Sequence, residues 1–281
     1  MNFPDRIAMQ FEQALTSGAV MTYATDEKLV KDDIDFIVFV LKHLSVRDRK
    51  FWNKGKKERA LDSEKDPFLP YEKDLFVNEL TKTHICLLNK YNVMKNHILI
   101  VTRSFEDQET PLTEFDFEAL WLCMEKIEGL AFYNSGVKAG ASQRHKHLQL
   151  IKLPLTEQMD RLPIGPLISS LKKREGPLVV PRFEFRHGLY FLPENVTAHY
   201  LLEKYDSLLE YTGLSDKWGP YNLLVTKEWM LLVPRTLESY KGISVNSLGF
   251  AGTFLVKDLR EFGEIKRTGF FGILNSVSSP L

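Results

Sequence analysis

Cysteine is scarce in this chain: Cys86 and Cys123 are the only two in 281 residues. So few thiols build no disulfide framework, and these two do not form a short metal-type pair. A reducing compartment fits that usage. Net charge is also absent, since 37 lysines and arginines balance 37 aspartates and glutamates. The balance excludes the uniformly basic domain of a nucleic-acid binder and leaves any anionic ligand to a local site. No apolar run approaches the ~20 residues of a membrane span. The start, MNFPDRIAMQFEQAL, carries acids and has no long apolar core, unlike a secretory signal. The expectation is a soluble, cytoplasmic protein with neither nucleic acid nor membrane as partner. Disorder has no compositional support either: 44% hydrophobic and 26% charged residues make an ordinary globular balance. The length suits one large domain or two modest ones.

The pattern along the chain is mixed α and β. Residues 2–17 read as an amphipathic helix with Ile7, Phe11, Ala14 and Leu15 on one side. Residues 45–67 are rich in both charges and read as an exposed loop. Asp66-Pro67-Phe68-Leu69-Pro70 then stiffens the backbone. His84–Leu88 and His97–Thr102 form a hairpin-like pair of strands. Thr113 with Asp116 three residues later opens a helix as a variant capping box. Phe117, Leu120, Trp121, Met124, Ile127 and Ala131 follow at helical spacing, an aromatic stripe best read as core packing. A strand over Leu130–Tyr133 leads into a polar, glycine-containing loop, and Lys146–Lys152 alternates like a strand. A proline-rich irregular stretch covers 160–196, with a strand at Phe183–His187. Residues 197–211 look helical and Pro220–Val233 resembles a second hairpin. GFAGTFLVK, Gly249–Lys257, reads as a strand with glycines, and a short terminal helix follows. Two strand–turn–strand units end in arginine, at Arg103 and Arg235. That echo suggests two related α+β halves joined near 155–180.

The chemistry is concentrated in NSGVKAGASQRHKHLQ, residues 134–149. Imidazole is a good nucleophile near neutral pH because its neutral form is populated there. Attack of a ring nitrogen on an α-phosphorus gives a phosphoramidate that stores a nucleotidyl group. Period-two alternation puts His145, His147 and Gln149 on one strand face, with Leu148 and Leu150 on the other. A backbone group of His145 is placed to fix the tautomer of His147; which nitrogen attacks is not readable from sequence. Gln149 donates hydrogen bonds but is a poor proton donor. It holds phosphoryl oxygens while activating water poorly, which favours transfer over hydrolysis. Upstream, Asn134, Ser135, Gly136, Ser142, Gln143 and the backbone amides around Gly140 and Ala141 are candidate phosphate holders, the kind of donors phosphoryl transfer needs. His-x-His alone reads first as plain structure, then as a metal-binding pair and last as a catalytic one. Gln149 and the Asn/Ser/Gly loop favour the catalytic reading, and no cluster of cysteines or carboxylates stands nearby to complete a metal shell.

The segment FYNSGVKAGASQRHKHLQL resembles the His-x-His-x-Gln branch of the histidine-triad superfamily, and more narrowly the diadenosine tetraphosphate phosphorylases, or ATP adenylyltransferases. DPFLPYEKDLFV, LLNKYNVMKNHILIVTRSFEDQ and PLTEFDFEALW resemble that family's amino-terminal half; YNLLVTKEWMLLVPR and NSLGFAGTFLVKD resemble its carboxy-terminal domain. The resemblance implies an α+β fold of the histidine-triad and galactose-1-phosphate uridylyltransferase kind, mostly antiparallel sheet with flanking helices. Residues 1–160 would form the catalytic part and 180–281 the carboxy-terminal part of one compact unit. It implies phosphorolysis of diadenosine tetraphosphate to ATP and ADP, reversibly, with His147 as nucleophile, Gln149 as the motif glutamine and His145 as the first motif histidine. Ser142 and Asn134 stand where the related uridylyltransferases hold the α-phosphate. Those relatives often bind structural metal through cysteines; the cysteines are missing, so no such metal is expected. No covalent cofactor is implied, though magnesium is expected to travel with the polyphosphate. Sulfate is a second candidate acceptor beside phosphate. A monomer or small homo-oligomer fits.

Other candidates rest on less. His97 opens a strand where the superfamily often has a histidine near the nucleotide; a surface group is the alternative. Phe68 and Leu69 are candidates to pack on adenine, or simply into the core. Arg47, Lys54, Lys56 and Lys57 form a basic loop, either closing over polyphosphate or merely solvated. Thr226, Lys227 and Arg235 lie in the carboxy-terminal motif, and Lys227, in a turn, is the preferred contact for the far phosphates. Gly249 and Gly252 permit a close approach or mark a bulge. Two rival activities use the same residues: a hydrolase on the same scaffold and a metal-dependent oxygen enzyme. A non-catalytic nucleotide sensor is the third.

Overall fold

A computed structural model describes residues 1–42, 66–172, 175–215 and 218–281. Its spine is an eight-stranded, wholly antiparallel sheet. A three-stranded sheet packs beside it, formed by β1 (Thr25–Lys31), β2 (Asp35–Leu41) and, parallel to β2, a strand from near the carboxy terminus, Thr253–Val256. The large sheet contains β3 (Phe76–Glu79), β4 (His84–Leu88), β5 (Ile98–Thr102), β6 (Gly129–Asn134), β7 (His147–Lys152), β8 (Gly188–Phe191), β9 (Tyr221–Val225) and β10 (Trp229–Pro234). Their spatial order is β8-β10-β9-β6-β7-β5-β4-β3. The Thr253–Val256 strand is β11. Strands from the carboxy-terminal part thus extend the amino-terminal sheet through the β9–β6 pair, and β11 completes the smaller sheet. The α+β reading of the sequence stands.

Alternation along the strands sends side chains into separate cores. Ala131, Tyr133, Leu148, Leu150, Leu223 and Leu232 pack on one face. That face is covered by α1 (Phe3–Ser17), α2 (Glu114–Met124) and α3 (Ala198–Tyr211). Leu130, Phe132, Ile151, Leu224 and Leu231 point the other way, toward the small sheet and toward α4 (Ser247–Phe250), α5 (Leu259–Thr268) and α6 (Phe270–Val277). A third cluster, Ile85, Leu87, Leu99 and Val101 with Phe68, covers the far end of that second face. His147 and Gln149 alternate onto the second face, where the two clusters meet. None of the helices among the described residues is long and apolar enough to cross a membrane.

Local chemistry explains most boundaries. Asn2 caps α1 by accepting from the Asp5 N–H at 2.9 Å, Pro4 occupies the first turn, and Gly18 ends the helix with φ 78°. Of its predicted inner face, Ile7, Phe11 and Ala14 are buried, whereas Leu15 is exposed and Phe3 joins the core instead. Thr113 and Asp116 form the capping box of α2. That helix stops at Met124, short of Ala131, which lies in β6. Ala131 packs in the same core as Phe117, Leu120 and Met124, so a shared destination imitates helical spacing. Phe183–His187 is not a strand, and β8 starts at Gly188. The alternation there reflects stacked rings: Phe183 lies 4.7 Å from Phe185, and His187 takes the Val180 N–H at 2.7 Å and donates to the Phe185 carbonyl. The expected strand from Gly249 begins as α4, capped by Asn246, and becomes β11 only at Thr253. Between them Gly252 has φ 90°, and a Cβ there would collide with Pro163. The carboxy terminus carries two helices rather than one.

Candidate active site

β6 and β7 are neighbours at the centre of the large sheet, and their open ends carry Asn134 and His147. The His147 ring donates from Nδ1 to the His145 carbonyl at 2.8 Å. A carbonyl only accepts, so Nδ1 holds the proton and Nε2 holds the lone pair. His147 is 5% exposed. Burial pushes its pKa from the ordinary 6.5 to about 4, with the His145 carbonyl opposing in part. The ring is therefore neutral at physiological pH, with a defined free nitrogen. His145 in turn lies between Asp66 Oδ2, 2.6 Å from its Nδ1, and the Thr102 carbonyl and hydroxyl, 2.8 and 2.9 Å from its Nε2. Phe68 packs against both imidazoles, 5.5 Å from each.

Asn134 is oriented as firmly. Its Oδ1 accepts from the Ser247 N–H at 3.0 Å, the Ser247 hydroxyl at 2.8 Å and Asn222 Nδ2 at 2.9 Å. A backbone N–H can only donate, so the atom it meets is the amide oxygen and no flip is open. Asn134 lines the adjoining cleft. Asn222 is held by the buried Arg235, which also donates to the carbonyls of Ala139, Leu237, Val245 and Val277. Burial lowers the Arg235 pKa to about 9, which leaves it charged at neutral pH. Its task is to tie four chain segments together. Arg103, its counterpart in the first hairpin, is exposed and pairs with Glu79.

The cleft has a volume of about 390 Å³. Asn134, Gly140, Ser142, Gln149 and His97 line one side; Phe39, Leu41, Phe254 and Leu255 of the small sheet line another. An apolar chamber with a few convergent polar groups is the usual form of a small-ligand site. His147 sits next to this lining, beneath Phe68, rather than in it. His97 is buried, its Nδ1 accepts from Asn89 Nδ2 at 3.0 Å, and its Nε2 turns toward Gln149 without completing a full hydrogen bond. Burial lowers its pKa to about 4.

The loop from 135 to 143 is shaped differently from expectation. Gly136, with φ 79°, and Gly140, with φ 97°, occupy the left-handed region, and a Cβ on Gly140 would come within 2.8 Å of Asn246. The Gly140 N–H bonds to the Val137 carbonyl at 2.9 Å and the Ala141 N–H to the Gly136 carbonyl at 3.0 Å. These amides close the loop on itself instead of facing a phosphate. Ser135 is buried, with its N–H on the Tyr221 carbonyl, and Gln143 is half-buried outside the cleft. Thr226 and Lys227 are not brought to the site. Thr226 caps the β9–β10 turn by accepting from the Glu228 and Trp229 N–H groups, and Lys227 pairs with Glu128 at 3.4 Å, beside the opposite end of β6. Arg47, Lys54, Lys56 and Lys57 lie outside the described residues. No group of three His, Cys, Asp or Glu among the described residues could hold a metal ion.

Several groups escaped the sequence reading. Asp66, Thr102, Gln108, Asn222 and Ser247 touch His145, His147 or Asn134 from positions far away in the chain. Lys146, between the two motif histidines, is fully buried on the other face, with Nζ 2.7 Å from Glu106 and 3.3 Å from Asp116.

Comparison with known proteins places the chain among relatives of one family. The family model described as the Ap4A phosphorylase N-terminal domain matches residues 1–170, and that of the ATP adenylyltransferase C-terminal domain matches 181–280. Diadenosine 5',5'''-P1,P4-tetraphosphate phosphorylase 2 of Saccharomyces cerevisiae is 29% identical over 294 residues, covering 92% of this chain and 88% of that protein. The crystal structure of yeast Ap4A phosphorylase Apa2 in complex with AMP superposes with a TM-score of 0.83 at 26% identity, covering 100% of this chain and 98% of that one. The same enzyme in complex with Ap4A matches in fold at the same TM-score, 0.83, and 24% identity, covering 99% and 98%.

Proposed function

The chain belongs to the Ap4A phosphorylase and ATP adenylyltransferase family, and on that premise we propose how its residues divide the work of an adenylyltransferase acting on diadenosine tetraphosphate. Nε2 of His147 attacks the α-phosphorus of one adenosine. The bond from that phosphorus to the bridging oxygen breaks, and ATP departs with the oxygen. The adenylyl group stays on Nε2, and the positive charge that develops on the ring is met through Nδ1–H by the His145 carbonyl. An oxygen of inorganic phosphate then attacks the same phosphorus, the electron pair returns to Nε2, and ADP leaves; the proton of the incoming phosphate passes to water. The amide nitrogens of Asn134 and Gln149 and the Ser142 hydroxyl hold the non-bridging oxygens, where charge must be stabilised. Both steps are reversible, so ATP charges the same histidine in the synthetic direction.

The observation that carries this reading is the bond from His147 Nδ1 to the His145 carbonyl, on a ring that burial keeps neutral. Together they leave one nitrogen, Nε2, free with its lone pair. Sulfate, being tetrahedral and anionic, is a second acceptor for the charged histidine. Magnesium accompanies the polyphosphate as part of the substrate. The test is incubation of the protein with diadenosine tetraphosphate, with and without phosphate, followed by intact mass. ATP and ADP formed only with phosphate, and an adenylyl adduct absent from His147→Ala, are expected. AMP and ATP without phosphate would identify a hydrolase. No turnover and no adduct would leave a nucleotide-binding protein.

A further inference from the structure

We propose that Gln108 is a positioning residue that sets the spacing between the nucleophile and the Asn134 amide. β6 and β7 pair from Gly129↔Lys152 to Phe132↔Gln149, and their ladder goes no further. Continued in register, it would set Asn134 opposite His147. The side chain of Gln108 lies there instead. Its Nε2 donates to the Asn134 carbonyl at 3.0 Å and to the His147 carbonyl at 3.1 Å, while its Oε1 accepts from the His147 N–H at 2.8 Å. One amide thus replaces the missing rung.

Its orientation is determined by its partners. The His147 N–H is solely a donor, and the two carbonyls solely accept, so the oxygen and nitrogen of Gln108 cannot exchange places. The residue is 1% exposed and is itself tied down. Its N–H donates to the Arg144 carbonyl at 2.6 Å, and its carbonyl accepts from the Tyr133 hydroxyl. It does not line the cleft, so it acts only through its neighbours.

The geometric consequence concerns separation. Two backbones bonded directly in an antiparallel sheet hold opposed Cα atoms about 5 Å apart. Two backbones that each bond to an amide lying between them stand farther apart. The extra width falls between the group that attacks and the group that holds the phosphoryl oxygens, where a tetrahedral phosphorus must fit. The inference rests on the roles proposed for His147 and Asn134. The two can fail separately. Loss of the clip leaves an adduct that still forms on His147, but slowly; an error in the nucleophile leaves an adduct in His147→Ala.

The test uses Gln108→Ala and Gln108→Glu, with three measurements: the single-turnover rate of adenylyl-histidine formation, the affinity for AMP, and Tm. A displacement of about 1 Å in a reacting pair slows chemistry about a hundredfold. The Ala variant should lose about that much rate while its AMP Kd stays within threefold of wild type. The Glu variant keeps the shape, but as a carboxylate it faces two carbonyls with nothing to donate. Its rate should recover as pH falls from 8 to 5.5 and it takes up a proton, whereas wild type stays flat. A wild-type rate in Gln108→Ala, a parallel collapse of rate and AMP affinity, or a flat profile for Gln108→Glu would overturn the proposal.

Discussion

Truncating Phe68 to alanine should move the acid limb of the reaction toward neutrality. The ring lies 5.5 Å from His147 and from His145, and is itself 8% exposed. It is part of the packing that keeps water off His147. Burial lowers the His147 pKa from 6.5 to about 4. At pH 5, an imidazole that titrates at 6.5 is only about 3% neutral, while one that titrates near 4 is about 90% neutral. The native site should therefore be about thirtyfold more active at pH 5 than a solvent-exposed histidine would allow. Hydrating the ring through Phe68→Ala raises its pKa toward 6.5, and the activity at pH 5 falls by up to that factor while activity at pH 8 changes far less.

Single-turnover adenylylation without phosphate is the assay of choice. Diadenosine tetraphosphate has no terminal phosphate, so no secondary phosphate ionisation enters the profile between pH 4 and 8. Its kcat/KM then reports the free enzyme. Besides the two imidazoles, Phe68 shares a small apolar cluster with Ile85, Leu87, Leu99 and Val101. Its loss should cost about 3 kcal/mol, the low end for a buried phenylalanine, and Tm shows whether the variant is folded. The same shift has a stability sign. Between pH 6.5 and 4 the unfolded chain binds a proton at His147 that the folded chain refuses, so stability falls as pH drops through that window. In Phe68→Ala that slope should flatten. A wild-type inflection near 6.5, or variant and wild-type profiles that superpose, would refute the reasoning.

Two more expectations follow from neighbouring groups. Gln149→His places a proton donor beside the phosphoryl group and should raise the release of AMP in the absence of phosphate; an unchanged hydrolysis rate would count against the role given to the neutral amide. Lys146→Met keeps the buried stem but leaves Asp116 with His84 and Thr113 as its remaining partners. It should destabilise the fold by about 3 kcal/mol in urea, at the lower end for breaking a buried pair, and a loss below about 1 kcal/mol would show that the pair contributes little.

What could be read from the sequence was local. Alternation in HKHLQ sets His147 and Gln149 on one face, and the two-residue spacing lets the His145 carbonyl reach the His147 ring. Thr113 and Asp116 announce their helix by a three-residue interval. The unread part is long-range. Gln108 reaches His147 across 39 residues, Asp66 reaches His145 across 79, and Ser247 reaches Asn134 across 113. No local pattern distinguishes these side chains from solvated ones; the gap in the β6–β7 ladder that gives Gln108 its place exists only once the sheet has formed. The glycine loop misleads for a related reason. Gly136 and Gly140 are needed for left-handed turns and for the close approach of Asn246, and those turns direct the nearby amides inward.

The absence of a proton donor at position 149 agrees with the leaving group the reaction requires. Cleavage at the α-phosphorus of diadenosine tetraphosphate expels a triphosphate whose charge spreads over many oxygens, and such a group departs without protonation. A histidine at 149 would add little to that step as an acid, but its neutral form would take the proton of an attacking water and help water compete with phosphate for the charged histidine. Holding the oxygens is then the main chemical demand. In the proposed mechanism that demand falls partly on Asn134, whose orientation is set by the Ser247 N–H and by Asn222, and Asn222 by Arg235. Arg235 is anchored on the carbonyls of Val277, Leu237 and Val245, so the carboxy-terminal part of the chain bears directly on how Asn134 is held. In the role proposed for it, an amide fixed through such a network needs little rearrangement as charge develops, the condition under which electrostatic stabilisation is most effective.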